Sequence, residues 1–284
     1  VQTILAAGAF GDGATTVSVL PAREGAGGPA CPRIVLLHGV HGCASPEPEN
    51  KYGYLARLCT ERGSDACIVE TSRARRDRNT FIREDGGDDR VAWAIAAFSG
   101  KTFAMELSDV CAALERIEAD LPPRPTVLWG FSLGGIIAVL IAGGAHERLL
   151  NEAGLRAPRV NAAFLGAATS GSGDRIRREA EGRLALPILD SVPPPGTLHR
   201  AAENMRTEFF LSFYGDRDTS FDEASVRRIF DLAAVPGGQK VFSVLGGSDH
   251  AFRTVNGAPS FRPLIGMADS VVSFSARAIR ERSR

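Results

Sequence analysis

The stretch TVLWGFSLGG at residues 126–135 decides the fold of this chain. An apolar run comes first, and Ser132 then stands between Gly130 and Gly134 in the pattern G-x-S-x-G. The apolar segment 136–145 follows and predicts a buried helix. The pattern alone is weak, because a chain with 31 glycines contains such matches by chance. Its position between a strand and a buried helix predicts a tight turn that presents the Ser132 hydroxyl at a helix N-terminus.

Strands and helices alternate on both sides of this turn. Apolar runs predict strands at residues 15–20, 34–37, 66–70, 126–129, 160–165, 208–214 and 240–245, the first of them in a hairpin turning at residues 11–13. Helical spacing predicts helices at residues 51–62, 103–117, 136–145, 221–234 and 264–282. The alternation predicts an α/β fold with a mostly parallel central sheet and helices on both faces.

Two segments interrupt the alternation. Residues 171–206 are rich in proline and separate two strands, and we interpret them as a small cap insertion over the site. Residues 71–90 mix arginines with acidic residues and predict a solvent-exposed loop. We therefore predict one domain over residues 1–284 that carries this cap.

The composition excludes several classes of protein. The 33 basic and 33 acidic residues give a net charge of zero, which argues against a nucleic-acid binder. No apolar run reaches about 18 residues, so no membrane span is predicted. Five cysteines without a C-x-x-C pair argue against a zinc ribbon or a disulfide framework, although a Cys59–Cys67 bridge stays open if the protein is exported. We predict a cytoplasmic location, with secretion open if a signal segment was removed, and leave the oligomeric state open.

A serine nucleophile needs a base, and His250 is the best placed of the five histidines. It follows the last predicted strand, at the carboxyl edge of the sheet where such sites lie. His146 is predicted on the helix that starts at Ser132, about 20 Å away at the rise of an α-helix. His199 lies in the predicted cap.

The base needs a carboxylate to fix its tautomer, and four aspartates are candidates. Asp216 and Asp218 both follow the strand at residues 208–214, and we favour Asp218. Asp249 ranks third, because side chains adjacent in sequence usually diverge from each other. Asp174 in the cap is a remote alternative.

The chain order of Ser132, Asp218 and His250 resembles that of the α/β-hydrolase superfamily, in particular its branch of serine esterases and prolyl-oligopeptidase-like enzymes. The resemblance extends from Ile34 to about Ser275. It implies the α/β-hydrolase fold with these three residues as the catalytic triad.

The segment HGVHG at residues 38–42 matches the family's oxyanion loop. The resemblance implies an oxyanion hole made by the backbone N–H groups of Leu133 and Val40, or of His41 one residue on. His38 is then a structural residue of the loop. His41 and Phe131 are predicted to take part in substrate binding. A metal site at His38 and His41 is disfavoured, because no third ligand is evident, and no cofactor is predicted.

These residues predict a serine hydrolase that cleaves a small or medium carboxylic ester through an acyl-enzyme. The nearest alternative is a serine peptidase of the aminopeptidase or prolyl-oligopeptidase type. An acyltransferase is a third candidate, distinguished by whether water or an alcohol takes the acyl group. A hydrolase-fold protein that only binds ligands is the fourth, since a fold does not dictate a function.

Overall fold

The computed structural model describes residues 1–23, 31–40, 43–76, 90–160, 164–176 and 187–283. The strands in these ranges form one eight-stranded sheet. They are β1 Gln2–Ala7, β2 Ala14–Leu20, β3 Arg33–Leu37, β4 Asp65–Glu70, β5 Thr126–Phe131, β6 Gly166–Ser170, β7 Phe209–Gly215 and β8 Lys240–Leu245.

The sheet is mostly parallel, as predicted. Its strand order is β1-β2-β4-β3-β5-β6-β7-β8, and all neighbours from β4 to β8 are parallel. The N-terminal hairpin is confirmed: β1 and β2 pair antiparallel, and β2 also joins β4 antiparallel. The carboxyl ends of the parallel strands meet at one edge, where α/β sheets carry their sites.

The helices cover both faces of the sheet. They are α1 Lys51–Glu61, α2 Arg90–Phe98, α3 Phe103–Asp120, α4 Leu133–Ala142, α5 His146–Glu152, α6 Pro187–Asp190, α7 Pro195–Glu203, α8 Glu223–Leu232 and α9 Pro263–Arg282. The apolar side chains of α1 and α9 pack on one face, and those of the other helices pack on the opposite face. β3 is buried along its whole length between the two layers, which explains its continuous apolar run.

The strand predicted at residues 160–165 is misplaced. The strand observed in this region is β6, and residues 161–163 lie outside the described part of the chain. The sequence of β6, GAATS, is small and has few strand-forming side chains, so the pattern overlooked it. A methyl group on Gly166 would lie 2.2 Å from the Phe209 ring, so the large ring on the neighbouring strand requires a small residue here.

The helix after Ser132 also differs from the prediction. It starts at Leu133 and ends at Ala142, earlier than predicted at both ends. His146 begins a separate helix, α5, whose axis is bent by 108° from that of α4. Gly144 in the break has a φ of +72°, a conformation that glycine adopts without strain.

The second half of the predicted cap belongs to the helical layer. Helix α7 packs against α4 and α8, and its Leu198, Ala201 and Ala202 are buried. Residues 177–186 lie outside the described ranges, so the cap role of the first half stays a prediction.

The described helices contain no single segment that is long and apolar enough to cross a membrane, and α4 and α5 pass that test only as a bent pair. All five cysteines are free.

Candidate active site

Ser132 lies on a strained turn between β5 and α4. Its φ of 54° and ψ of −118° are unusual for a residue with a side chain. Such a conformation persists only where the surroundings enforce it. Here the Ser132 N–H donates to the Ser170 carbonyl at 2.9 Å, and Ser172 Oγ donates to the Ser132 carbonyl at 2.7 Å. The turn is therefore held on both sides by the end of β6.

Three glycines let the chain pack tightly around this turn. A Cβ on Gly130 would lie 2.0 Å from the Gly134 carbonyl oxygen, and one on Gly134 would lie 2.6 Å from the His38 carbonyl oxygen. A Cβ on Gly135 would lie 1.9 Å from Ser172 Oγ. Side chains at these positions would push α4 away from β5 and β3. Close packing of α4 against its neighbours thus explains why glycine is required at these positions.

His250 and Asp218 form a hydrogen-bonded pair at the same edge of the sheet. His250 Nδ1 lies 2.8 Å from Asp218 Oδ2, and the Asp218 side chain is fully buried. Asp218 Oδ1 accepts the N–H groups of Ser220 at 2.7 Å and Phe221 at 3.0 Å. A carboxylate only accepts, so the shared proton belongs to Nδ1, and Nε2 is left to accept a proton. The Phe221 ring stacks on the imidazole with centroids 5.8 Å apart.

The end of β6 lies beside both Ser132 and the His250–Asp218 pair. Ser170 accepts the backbone N–H of Ser132, and the next residue, Gly171, touches the His250–Asp218 pair. A Cβ on Gly171 would lie 3.2 Å from both Asp218 Oδ2 and His250 Nδ1. The three predicted triad residues therefore surround one strand end.

From the predicted role of His250 as a base, we expect Gly171→Ala to lower kcat by about tenfold to a hundredfold, because small displacements of a catalytic base have effects of this size. Gly171 has a φ of +60°, so the variant also loses about 1 to 2 kcal/mol of unfolding free energy through backbone strain. Gly154→Ala is the matched control, since Gly154 has a φ of +67° and no atoms within 4 Å of the added Cβ. The measurement is kcat together with the melting temperature of both variants. An equal loss of kcat in Gly171→Ala and Gly154→Ala would contradict the expectation.

The other candidate carboxylates bind different groups. Asp216 Oδ1 accepts the N–H of Gly247 at 2.7 Å and of Ser248 at 3.3 Å, which fixes the loop before His250. Asp249 accepts from Arg253 and from the backbone of its own turn. Asp174 contacts His199 at 2.7 Å, together with Ser225 and Arg228. Of the four aspartates, Asp218 is the one that meets His250.

The predicted oxyanion donors lie on either side of Ser132. Leu133 is the first residue of α4, and the first N–H groups of a helix have no partner within the helix. A Cβ on Gly39 would lie 2.9 Å from Ser132 Cβ, so the Gly39–Val40 peptide is adjacent to the serine. His41 lies outside the described residues, and its predicted roles stay predictions.

Phe131 belongs to the apolar layer that α1 and α9 form on one face of the sheet. Its side chain is buried and packs against Tyr52, Trp129 and Phe252, with the Lys51 ammonium 3.9 Å from its ring centroid. This burial favours a supporting role for the side chain. The predicted contact of Phe131 with substrate stays a prediction, and the packing of its ring does not favour it.

A buried polar cluster next to the oxyanion loop was not anticipated from the sequence. The segment after β4 was predicted to be exposed, yet Thr71, Ser72 and Arg73 are buried. The pKa of His38 is lowered to about 4, chiefly by burial, while Glu106 acts to raise it and Arg73 acts to lower it. His38 is therefore neutral near pH 7. The burial of residues 71–73 has one signal in the sequence: they directly follow a strand, at the carboxyl edge of the sheet.

Lys101, which contacts the Ser72 backbone in this buried polar cluster, also forms buried ion pairs. Lys101 Nζ lies 2.5 Å from Glu106 Oε2 and 2.7 Å from Asp109 Oδ2, and it donates to the Ser72 carbonyl at 2.7 Å. Among the described residues, no group of three or more His, Cys, Asp or Glu side chains could hold a metal ion.

The chain matches no protein-family model and no curated protein sequence. Solved structures resemble it over nearly its whole length. The esterase domain of a Rhodothermus marinus protein is 13% identical, with 98% of each chain covered and a TM-score of 0.61. Est1E from Butyrivibrio proteoclasticus is 12% identical, with 98% of this chain and 99% of that chain covered and a TM-score of 0.59.

A third structure is XC6422 from Xanthomonas campestris, described as a member of the a/b serine hydrolases without a lid. It is 16% identical, with 97% of this chain and 94% of that chain covered and a TM-score of 0.55. At these identities the similarity establishes a shared fold.

Proposed function

We propose, from the premise that this chain has the α/β-hydrolase fold, that it is a serine hydrolase that cleaves carboxylic esters of small or medium size. One observation carries the proposal. The His250–Asp218 hydrogen bond lies against the same strand end that holds the strained Ser132. A nucleophile, a base and a group that orients the base are the components of acyl transfer.

The proposed reaction has two halves. Ser132 Oγ attacks the ester carbonyl carbon while His250 Nε2 accepts the hydroxyl proton, and the same proton then passes to the leaving alcohol. The second half repeats this chemistry with water, which attacks the acyl-enzyme and releases the acid. Asp218 keeps the proton on Nδ1 in both halves and stabilises the imidazolium that forms.

The proposed oxyanion hole consists of the backbone N–H groups of Leu133 and Val40. The N-terminal position of Leu133 in α4 supports its role, because the helix dipole favours negative charge there. Losing one such donor lowers kcat by about a hundredfold to a thousandfold in serine hydrolases.

The first experiment needs no knowledge of the substrate. We expect a fluorophosphonate to form a stoichiometric adduct on Ser132, located by peptide mass spectrometry. His250→Ala should abolish labelling, because the serine hydroxyl is a weak nucleophile without its base. A folded wild-type protein that forms no adduct would contradict the proposal and favour a ligand-binding function.

A substrate panel then separates the enzymatic alternatives. It contains p-nitrophenyl esters of increasing acyl length, a feruloyl ester, aminoacyl and prolyl amides, and an ester offered with an alcohol acceptor. The feruloyl ester is included because one neighbouring structure has ferulic acid bound to Est1E. Hydrolysis of esters in preference to amides supports the proposal, and preferred cleavage of amides supports a peptidase.

The cysteines bear on the cellular location of the protein. All five thiols are free, which supports a reducing compartment such as the cytoplasm.

A further inference from the structure

The two described ends of the oxyanion loop are held by one buried cation. We define these ends as residues 38–40 and residues 43–44. Arg73, from the segment after β4, has a side chain that is 0% exposed. Its guanidinium lies against the rings of Trp93 and Phe98, with the ring centroids 5.4 Å and 5.0 Å away. It is too deep to contact a substrate, so any effect on the reaction must act through other groups.

The first end is held through His38. Its Nδ1 lies 2.8 Å from the Gly39 carbonyl oxygen, which only accepts, so Nδ1 carries the proton. In the neutral ring, Nε2 must then accept. Arg73 Nη2 donates to Nε2 at 3.3 Å, the Thr71 backbone N–H donates to it at 3.4 Å, and Thr71 Oγ1 lies 3.1 Å away. A guanidinium is always protonated, so Arg73, together with the Thr71 N–H, stabilises the tautomer with the proton on Nδ1.

This tautomer fixes the direction of the proposed oxyanion donor. The Gly39–Val40 peptide is planar and trans, so its C=O and N–H groups point in opposite directions. With the Gly39 carbonyl turned toward the His38 ring, the Val40 N–H must point away from that ring. The carbonyl cannot reverse without losing its buried donor, and an unpaired buried polar group is costly.

The second end is held through Glu70. Arg73 Nη2 lies 3.0 Å from Glu70 Oε1, and Glu70 Oε2 accepts the Ala44 N–H at 2.5 Å. Arg76 Nη1 lies farther from the same carboxylate, at 3.7 Å, and is partly exposed. Arg73 Nη2 therefore contacts both His38, at one end of the loop, and Glu70, which binds the other end.

We propose that Arg73 is a positioning residue that sets the geometry of the oxyanion hole, through His38 at one end of the loop and Glu70 at the other. The proposal rests on the proposed hydrolase function, because it gives Val40 a role in that reaction. Arg73 Nη2 carries two N–H groups in the guanidinium plane, one for each acceptor, whereas a lysine ammonium is a compact charge with a different reach.

The test compares Arg73→Lys with Arg33→Lys. Lysine retains the charge that Glu70 needs, so the variant avoids an unpaired buried carboxylate. Arg33 is the matched control: it is also buried, but it lies at the opposite end of the sheet, where it donates to the Pro122 carbonyl at 2.8 Å. Each protein is examined for kcat and KM on p-nitrophenyl acetate and for the His38 tautomer by ¹⁵N NMR.

We expect Arg73→Lys to lower kcat by about tenfold or more, with KM changed by less than about threefold, since the oxyanion hole acts on the transition state. The His38 signals should show the Nδ1-protonated form in the wild type and a mixture of tautomers in the variant. Arg33→Lys should leave both readouts at their wild-type values.

The outcomes separate this inference from the proposed function. A wild-type enzyme that hydrolyses the ester, with full kcat and an unchanged tautomer in folded Arg73→Lys, overturns the inference and leaves the function intact. A wild-type protein that neither hydrolyses the ester nor reacts with fluorophosphonate overturns the function. In that case a tautomer shift in Arg73→Lys still supports Arg73 as the residue that fixes the loop, and its absence rejects that role too.

Discussion

Ser132→Ala is expected to lower kcat by at least about three orders of magnitude, as removal of a triad nucleophile does in serine hydrolases. The change deletes one oxygen atom and leaves the turn in place. The hydrogen bonds that hold the turn use the backbone N–H and C=O of Ser132, not its side chain. The variant should therefore fold with a melting temperature close to that of the wild type.

The measurement is steady-state turnover of the best ester from the panel, together with fluorophosphonate labelling. Ser270→Ala is the matched control, because Ser270 lies on the exposed side of α9 and donates only to the Gly266 carbonyl. It should keep both wild-type turnover and labelling. If Ser132→Ala retained wild-type turnover after rigorous purification, the assignment of the nucleophile would be wrong.

Asp218→Asn is expected to lower kcat by about four orders of magnitude, because it imposes the wrong tautomer on the base. Asp218 Oδ1 accepts two backbone N–H groups, so the amide oxygen of an asparagine must take that position. The amide NH₂ group then faces His250 Nδ1, which must accept. The imidazole proton moves to Nε2, and the base can no longer take the proton of Ser132.

Asp216→Asn is the control for this variant, since both residues follow β7 and receive the same chemical change. Asp216 accepts only the backbone N–H groups of Gly247 and Ser248, and an amide oxygen can still accept them. We expect less than about a tenfold loss in kcat, because the loop before His250 keeps most of its support. A larger loss at Asp216 would assign the carboxylate that orients His250 to Asp216, and equal losses would contradict the expected difference.

Much of the fold could be predicted because its signals are local. The apolar run of β3 and the strand–Gly–Ser–Gly–helix order around Ser132 each reflect the burial of neighbouring residues. The chain order of Ser132, Asp218 and His250 placed all three at strand ends, and parallel strands bring those ends to one edge. Asp216 and Asp218 both follow β7, so this signal by itself did not separate the two.

The errors arose where long-range packing overrides local pattern. β6 is a strand because it lies between β5 and β7, although GAATS has little strand character of its own. Neither neighbour of β6 is close to it in sequence, so a local pattern could not report them. The end of α4 is a different case with a local signal, because Gly143 and Gly144 follow the helix and Gly144 has a φ of +72°.

The sequence by itself determined the class of fold and the residue types of the proposed site, because hydrophobic periodicity and the small residues around Ser132 are properties of neighbours along the chain. Only the tertiary structure decided which aspartate meets His250 and that Arg73 is buried behind the oxyanion loop. Arg73 lies 35 positions from His38 in the chain, and its guanidinium is buried only because folding brings His38, Glu70 and the rings of α2 around it. A buried charge depends on partners from several elements, and a sequence records the residues without recording which of them meet.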